Sequence, residues 1–463
     1  MHHPPSPSRA DGLPPRKRSS MPATPQRLTH GRRALIGIVG ALGAVALLSG
    51  CSQGAATSTG SSSDSSYKAV AKDTKADLTY AVWDQTQVKA IDANLEGFNK
   101  EYPNIKVTVS VTPFADYWTK LQTQASSDAL PDLFWMNGPN FQLYAANGKL
   151  EPITGEVKAG AIDPKNYSSS LDELYTYNKV EYGVPKDFDT IGVWVNKALF
   201  QEAGVALPSD DWTWDDFQKT ATEISQNLKS KGIYGVSAGM DGQTTYYPTI
   251  FQAGGYVVSP DGKKSGYDDP ATEAGLQFWA DLIKSGASPN MKQLTETPGD
   301  QWFVSGKSAM YQGGDWARSE IAAAPIAKDV QAYRLPKGKV DANVIHGVAN
   351  VVAANSKNKG AAQALQVYLA SKEAQQQQGD MGAVIPAYTG TQTAFAKSMP
   401  GVNLQLFLDE VSVAKPLPVS KNTAAWNTLE TNLLPDAFDG TKSVSDVGKD
   451  LAEQMNAALA KEK

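Results

Sequence analysis

The chain has 463 residues, a formal net charge of −5 and a single cysteine, Cys51. Its length exceeds what one hydrophobic core usually serves, so two domains are expected. An acidic protein repels nucleic acid and anionic lipid headgroups, which argues against both as partners. A single thiol excludes an intramolecular disulfide.

A basic segment followed by a short apolar segment opens the chain. Residues 1–33 carry seven Arg and Lys residues and one Asp, and Ala34–Leu48 contains only apolar residues and glycine. These fifteen residues are too few to span a membrane stably, because a helix needs about 20. The order predicts a secretory signal peptide over residues 1–50, which is removed on export. Without these residues the net charge changes from −5 to −11, since they contribute +6.

Two features of this leader stay open. Arg32–Arg33 is as compatible with twin-arginine export as with an ordinary basic region. Either Met1 or Met21 can be the start of translation.

The sequence "LSGC" at residues 48–51 resembles a bacterial lipobox. The resemblance implies that Cys51 becomes a lipidated N-terminus carrying a diacylglyceryl group. Residues 52–66 are almost wholly Ser, Gly, Ala and Thr, a composition that cannot bury enough apolar surface to order itself. We therefore expect a lipid-anchored flexible tether over residues 51–75.

The first part of the body alternates strands and helices. The predicted order is a strand at 77–84, a helix at 88–102, a half-exposed strand at 105–112, a helix at 116–126 and a short strand at 130–136. Connections of helix length imply parallel pairing, so the sequence predicts an α/β sheet.

Helices dominate the predictions for the second part. Thr213 and Asp216 have capping-box spacing at the start of one helix, and Pro270 fits the first position of a helix that ends at Gly286. Further helices are predicted at 358–378 and 444–462, and a strand with a turn at 254–263.

Little in the sequence points to catalysis. Only His346 remains after signal removal, which excludes multi-histidine metal sites, and no Gly-rich phosphate loop appears, so neither a metal nor a cofactor is predicted. Gly235–Gly239 matches the G-x-S-x-G nucleophile motif around Ser237, but residues 240–249 do not predict the helix that should follow it. The paired aspartates of the chain are explained by helix and turn capping. No catalytic residue is predicted.

Aromatic residues beside polar ones stand at the ends of predicted strands. Trp83 and Asp84 follow the first strand, Met136 and Asn137 follow the third, and Trp316 lies in "GGDWAR". Ligands of open α/β sheets bind beyond the carboxyl ends of strands. Sugar rings pack their C–H faces on aromatic rings and hydrogen-bond polar neighbours, so this pattern is typical of carbohydrate binding.

The body resembles the extracellular solute-binding proteins of bacterial ABC importers, in the oligosaccharide-binding branch. The resemblance rests on the order and spacing of "DLTYAVWD", "FNKEYPNIKVTV", "LPDLFWMN", "YGVPKDFDTIGVWVNKALF", "TWDDF", "FQAGGYVV", "FVSGKSAMYQGGDWA" and "AANSKNKGAAQALQVYLASKEAQ". Val195 departs from the Tyr that the family usually has there, at a position that looks structural.

The resemblance implies two discontinuous α/β lobes with a hinge and a central ligand cleft, as in type II periplasmic binding proteins. Lobe one would comprise residues 76–188 and 347–400, and lobe two residues 189–346 and 401–463. The segment "KDFDT" would cross between the lobes and face the cleft.

Candidate ligand-binding residues are carried over from the family by position. They are Trp83, Asp84, Phe114, Tyr117, Met136, Asn137, Asp187, Asp189, Gln243, Tyr246, Tyr247, Asp315, Trp316, Arg318, Asn350, Ile385 and Trp426. Three of them have a structural alternative: Asp187 as a capping residue, and Tyr247 and Trp426 as core residues.

The resemblance implies a non-enzymatic, monomeric receptor on the outer face of the cell membrane. It would bind a carbohydrate and deliver it to ABC transporter permease subunits, and it would touch the membrane only through its lipid anchor. Alternatives are the same fold with a polyamine or organic anion as ligand, a glycan-active or ester-cleaving hydrolase, and a surface adhesin without a ligand.

Overall fold

The computed structural model describes residues 67–462. The predicted signal peptide, Cys51 and most of the predicted tether lie outside these residues. Among the described helices, none has the length and apolar character needed to cross a membrane.

Fifteen strands are present in the described chain. They are β1 (Ala76–Val82), β2 (Ile105–Val111), β3 (Leu133–Asn137), β4 (Thr176–Tyr177), β5 (Val180–Glu181), β6 (Gly183–Pro185), β7 (Asp187–Phe188), β8 (Ile191–Asn196), β9 (Tyr234–Ala238), β10 (Ser308–Gly314), β11 (Val330–Tyr333), β12 (Asn343–Ile345), β13 (Val348–Val352), β14 (Ile385–Pro386) and β15 (Ala414–Pro416).

Eighteen α-helices accompany them within residues 67–462. They are α1 (Val88–Glu101), α2 (Phe114–Ser126), α3 (Gly138–Ala146), α4 (Thr154–Lys158), α5 (Ser169–Leu174), α6 (Lys197–Ala203), α7 (Trp214–Asn227), α8 (Tyr247–Ala253), α9 (Pro270–Lys284), α10 (Met291–Glu296), α11 (Gly299–Val304), α12 (Arg318–Ala323), α13 (Lys359–Leu369), α14 (Lys372–Asp380), α15 (Thr393–Ala396), α16 (Gln405–Asp409), α17 (Thr423–Phe438) and α18 (Val444–Leu459).

Two separate sheets organise the molecule. The first has the order β2-β1-β3-β13-β6, with β1 parallel to both β2 and β3, as the alternating pattern predicted. The second has the order β11-β8-β10-β9, with β10 parallel to β9 and antiparallel to β8. We call the body around the first sheet lobe one and the body around the second sheet lobe two.

Each sheet is buried on both faces. In the first sheet, Tyr80 and Trp135 face one core with α1 and α13, whereas Phe134 and Met136 face another with α2 and α3. In the second sheet, one face packs on α7, α9, α17 and α18. On the other face, Trp194 packs in a second core with Phe395 and Phe407. Burial on both faces explains why β3, β8 and β13 are nearly continuous apolar runs, whereas the edge strand β2 alternates.

The chain passes between the sheets at closely spaced places. Residues 186–190 connect β6 to β8, residues 346–347 connect β12 to β13, and β14 pairs with β7 beside them. Asp189 and His346 form an isolated antiparallel bridge where the first two passages meet. Phe395 and Met399 pack with Trp194 of the second sheet. The exact lobe boundaries stay a prediction.

Local expectations for the second part are partly corrected. The Thr213–Asp216 capping box is present at the start of α7. The single helix predicted at 358–378 is two helices. The first, α13, ends at Leu369, and the side chain of Ser371 caps the start of the second, α14. The strand predicted at 254–263 is reduced to a single bridge between Val258 and Ser265.

Candidate ligand-binding cleft

A cavity of about 750 Å³, which we call the cleft cavity, lies between the two sheets. Lobe one contributes Trp83–Gln87, Phe114, Ala115, Asn137 and Val348, and the passages between the sheets contribute Asp187–Asp189 and His346. Lobe two contributes Gly239, Asp241, Gln243, Thr244, Leu294, Pro298–Asp300, Tyr311, Asp315–Ala317 and Glu320, and Val384 completes the lining.

Strand direction explains why these residues meet. The cleft cavity is lined by residues at or just beyond the carboxyl ends of five strands: Trp83 (β1), Phe114 (β2), Asn137 (β3), Gly239 (β9) and Asp315 (β10). Both sheets therefore present the edge at which ligands of open α/β sheets bind.

Aromatic rings stand on both sides of the cavity. On the lobe-one side, the ring of Trp83 is held edge-on by Tyr117 and Trp135, with centroid distances of 5.1 and 4.9 Å. Phe114 lies 5.7 Å from Trp83 and is 54% exposed, an unusual exposure for a phenylalanine. Trp316 lines the lobe-two side and is half-buried. Three aromatic rings therefore line the cavity, two from lobe one and one from lobe two.

The position of Trp316 depends on Gly314. A Cβ built on Gly314 would lie 1.9 Å from Cζ3 of the Trp316 indole. The indole folds back over the end of β10 only because this position lacks a side chain.

A continuous hydrogen-bonded network runs from the lobe-one loop to the first passage. Asp84 caps the turn after β1 by accepting from Thr86 N (2.8 Å) and Gln87 Nε2 (2.9 Å). Gln87 Oε1 accepts from the buried Lys186 Nζ (3.0 Å), which also donates to Asp187. The ammonium of Lys186 lies 4.4 Å from the Trp135 ring centroid. Lys186 is thus fully engaged beneath the lining, and its charge is matched by Asp187.

A second network joins the passage to lobe two. Gln243 Nε2 donates to Asp189 Oδ1 (2.5 Å), and Asp315 Oδ1 accepts from Thr190 N (3.2 Å). Burial raises the pKa of Asp189, and the neighbouring Asp187 raises it further. Burial likewise raises the pKa of Asp315, with a further contribution from Asp189. These carboxyls hold their protons more tightly than exposed ones do.

His346 is a neutral member of the lining. Burial lowers its pKa to about 3, so the ring is uncharged at physiological pH. Its Nε2 accepts from Gly138 N (3.0 Å), which leaves the proton on Nδ1, 3.9 Å from Asp189 Oδ2. His346 therefore supplies no positive charge to the cavity.

Asp300 and Glu320 add two carboxyls on the lobe-two wall. Glu320 accepts from Gln301 Nε2 (2.5 Å). Burial raises the pKa of Glu320, and Asp300 and, from the lobe-one wall, Asp84 raise it further. The two walls of the cavity therefore both carry carboxyl groups. In residues 67–462 no group of three or more His, Cys, Asp or Glu side chains is arranged to hold a metal ion.

The sequence-predicted site residues divide into two sets. The structure brings together the following at the cleft cavity: Trp83, Asp84, Phe114, Asn137, Asp187, Asp189, Gln243, Asp315 and Trp316. It places the following away from the lining: Tyr117, Met136, Tyr246, Tyr247, Arg318, Asn350, Ile385 and Trp426.

Lobe-one members of the second set support the wall from behind. Met136 is fully buried in the core, and Tyr117 donates its hydroxyl to the Trp135 carbonyl (2.9 Å) beneath Trp83. Asn350 accepts from the Tyr80 hydroxyl (2.6 Å) inside the sheet. Alternate residues of a strand point to opposite faces of the sheet. A residue near a strand end can therefore point into the core instead of the cavity, and its position in the sequence does not show which.

Lobe-two members of the second set belong to its cores. Tyr246 and Tyr247 donate hydrogen bonds to the buried Glu430, and Trp426 is fully buried beside them in the lobe-two core. Ile385 is fully buried, and Arg318 turns away to donate to the Ser398 carbonyl. For Tyr247 and Trp426 the structural alternative is the one observed.

Sequence reasoning missed several lining residues. Gln85–Gln87 directly follow the predicted pair Trp83 and Asp84. Their position after the first strand could have been used to predict that they line the cavity. Asp300, Glu320 and His346 reach the cavity only through the packing of α11, α12 and the second passage. Nothing local in the sequence marks them.

The G-x-S-x-G match has a structural explanation. Ser237 is fully buried in β9 and donates to the Gly299 carbonyl (2.7 Å), and His346 Nε2 is already occupied by Gly138. The expectation that no helix follows the motif is wrong, because Gly242–Tyr246 is a π-helical turn that leads into α8. Ser237 nevertheless lacks the exposure that a nucleophile needs.

Fold and cleft define a two-lobed binding protein, and comparison with known families agrees. Residues 83–376 match the family of bacterial extracellular solute-binding proteins, and the chain belongs to this family. This confirms the resemblance predicted from the sequence and the α/β fold class of type II binding proteins.

Individual relatives are more distant. A multiple sugar-binding protein of Streptococcus mutans is 30% identical over 142 residues, which are 30% of this chain and 32% of that protein. A galactooligosaccharide-binding protein of Bacillus subtilis is 26% identical over 305 residues, 63% of this chain and 68% of that protein. Among solved structures, the ABC substrate-binding protein Lmo0181 of Listeria monocytogenes, in complex with cycloalternan, superposes with a TM-score of 0.79 at 23% identity. That superposition covers 84% of this chain and 100% of the other.

Proposed function

We propose that this protein is an extracellular receptor that binds a sugar or oligosaccharide between its two lobes and delivers it to an ABC transporter permease. The observation that carries the proposal is the placement of Trp83 and Phe114 on one wall of the cleft cavity and Trp316 on the other. Stacking on aromatic faces is how apolar sugar surfaces are recognised, and the intervening carboxylates and amides suit sugar hydroxyls. The names of the Streptococcus and Bacillus relatives support the same ligand class.

Lobe closure supplies the signal to the transporter. A ligand that touches both walls favours the closed state, because only that state makes both sets of contacts. Shifting a mostly open population to a mostly closed one needs a differential affinity of about 5 kcal/mol. Several stacked rings and charged hydrogen bonds supply free energy of this order.

The anchoring part of the proposal rests on the sequence alone. We propose that the lipobox-like "LSGC" directs lipidation of Cys51, and the composition of residues 52–66 is that of a flexible tether with an expected root-mean-square reach of about 20 Å. The receptor then works as a monomer at the outer face of the membrane, within reach of the permease.

Calorimetry against a panel of oligosaccharides tests the ligand class. We expect heat of binding with at least one glycan, and a loss of at least tenfold in affinity for Trp316→Ala. Trp214→Ala is the matched control, because Trp214 is also partly buried but does not line the cleft cavity. Binding of a peptide or a polyamine, with no heat from any glycan, would refute the assignment.

A further inference from the structure

We infer that the sugar bound by this protein carries a positive charge, as an oligosaccharide with a protonated amine. The inference rests on the proposed function and narrows its ligand class. Seven carboxyl groups line the cleft cavity, and no Lys or Arg is found among its described lining residues.

Three of the seven carboxyls are already satisfied by the protein. Asp187 is paired with Lys186 and accepts from Val348 N (2.7 Å). Both oxygens of Asp84 accept hydrogen bonds from the turn that follows it, and both oxygens of Asp241 accept from Thr244. The protein itself uses these three carboxyl groups, so their presence does not indicate the charge of the ligand.

Asp189 and Asp315 are different, because within residues 67–462 neither forms an ion pair with a Lys or Arg side chain. Asp189 is 9% exposed and Asp315 is 2% exposed, and both line the cavity. Gln243 and Thr190 each satisfy one oxygen. Lys186, the cation that acts on Asp189, is bonded to Asp187, and His346 is neutral. Burial and the neighbouring carboxyls raise the pKa of both groups, so the pair favours its protonated form in the empty cleft. A cation supplied by the ligand would let both carboxyls ionise and pair with it.

The two remaining carboxyls of the seven are only partly buried. Asp300 and Glu320 stand on the lobe-two wall, and Asp84 on the lobe-one wall acts on Glu320 electrostatically. Closure brings like charges together, so a neutral ligand leaves their repulsion in place. A cation between the walls turns that repulsion into attraction and adds to the free energy of closure.

The aromatic rings decide what kind of cation fits. A linear polyamine has no flat face for Trp83, Phe114 and Trp316, and the described residues offer no metal-ion geometry. An aminated sugar ring presents both an apolar face for stacking and an ammonium group, which the rings also attract.

Matched ligand pairs test the inference by calorimetry on the full-length protein. One set compares β-1,4-linked glucosamine oligomers with their N-acetylated forms and with glucose oligomers of equal length. A second set compares 6-amino-6-deoxy maltooligosaccharides with maltooligosaccharides. We expect at least tenfold tighter binding of the aminated member in any set that binds. Equal or tighter binding of the neutral member would overturn the inference while leaving the proposed function standing. Binding of spermidine with no binding of any sugar would defeat both.

Charge-neutral variants provide an independent readout. Asp315→Asn and Glu320→Gln are each expected to reduce the preference for the aminated sugar over its neutral partner at least fivefold, measured as the ratio of the two affinities. Asp92→Asn removes an exposed charge on α1 and is the control, with no expected effect. If Asp315→Asn and Glu320→Gln each lower the affinities for the aminated and the neutral sugar by the same factor, with unchanged melting temperatures, the inference is contradicted.

Discussion

Gln243 of lobe two donates a hydrogen bond of 2.5 Å to Asp189, which lies on the first passage between the sheets. This contact ties the π-helical turn Gly242–Tyr246 to the segment about which the lobes would hinge. It also satisfies one oxygen of a buried carboxyl group that faces the cleft cavity. The side-chain amide of Gln243 thus holds both the lobe-two turn and Asp189, a proposed ligand contact, in position.

Gln243→Ala is expected to weaken ligand binding at least tenfold. The change removes the side-chain donor to Oδ1 of the buried Asp189, which costs about 1–3 kcal/mol of stability. Calorimetry and denaturant unfolding measure the two effects. Gln277→Ala is the control, since Gln277 bonds only Asp281 on the exposed face of α9. Unchanged affinity and unchanged stability in Gln243→Ala would show that the contact is dispensable.

Gly314→Ala is expected to abolish most ligand binding with a smaller loss of stability. The new methyl group occupies the position of the Trp316 indole, which must swing away from its place in the cavity wall. Intrinsic fluorescence and calorimetry follow the indole and the affinity. Gly360→Ala is the comparison, because a Cβ there meets only a side-chain methyl of Val70. Wild-type affinity in Gly314→Ala would mean that Trp316 does not need its observed position.

Lys186→Met is expected to destabilise the protein by about 3–5 kcal/mol. It leaves Asp187 buried without its counter-charge, and removing one partner of a buried pair is strongly destabilising. The double variant Lys186→Met/Asp187→Asn should recover part of that loss, since no unpaired charge remains. Urea unfolding of the two single variants and the double variant gives the coupling free energy. Additive effects would show that the two side chains act independently.

Glu430 gives the protein a pH-dependent stability. This buried carboxyl accepts hydrogen bonds from Tyr246, Tyr247, Tyr267 and Asn427, and burial raises its pKa to about 7 from 4.5. The folded state keeps the proton over a pH range in which the unfolded state has lost it. The contribution of Glu430 to stability is therefore full below pH 4.5 and is lost as pH rises to about 7.

Glu430→Gln removes this titration. Between pH 4.5 and pH 7, the free energy of unfolding of the wild type should fall by about 3 kcal/mol relative to the variant. Urea unfolding at several pH values measures the difference, and other buried acids cancel because they are common to both proteins. Parallel stability curves for the two proteins would contradict the assignment.

The elements of lobe one were predictable because their signals are local. The alternating pattern of β2, the helical spacing in α1 and the short apolar run of β3 each follow from side-chain periodicity. The capping box before α7 is likewise a matter of residues three apart. The π-helical turn before α8 was missed, since its Gly, Thr and Tyr residues have weak helix propensity and Asp241 holds the turn by side-chain capping.

The cleft was predictable only where it lies at the end of a strand. Trp83 and Asp84 directly follow β1, Asn137 is the last residue of β3, and all three line the cavity. Trp426 does not, because an aromatic residue has the same appearance in a sequence whether it fills a core or faces a ligand. Glu320 reaches the cavity from α12, and no spacing in the sequence relates that helix to Asp84.

The crystal structure of the protein with its tightest-binding oligosaccharide tests the central claim most directly. We predict sugar rings stacked on Trp316 and on Trp83 or Phe114, with Asp189 and Asp315 hydrogen-bonded to the ligand. A ligand bound outside the cleft cavity, or one held there with no aromatic ring against a sugar face, would contradict the account.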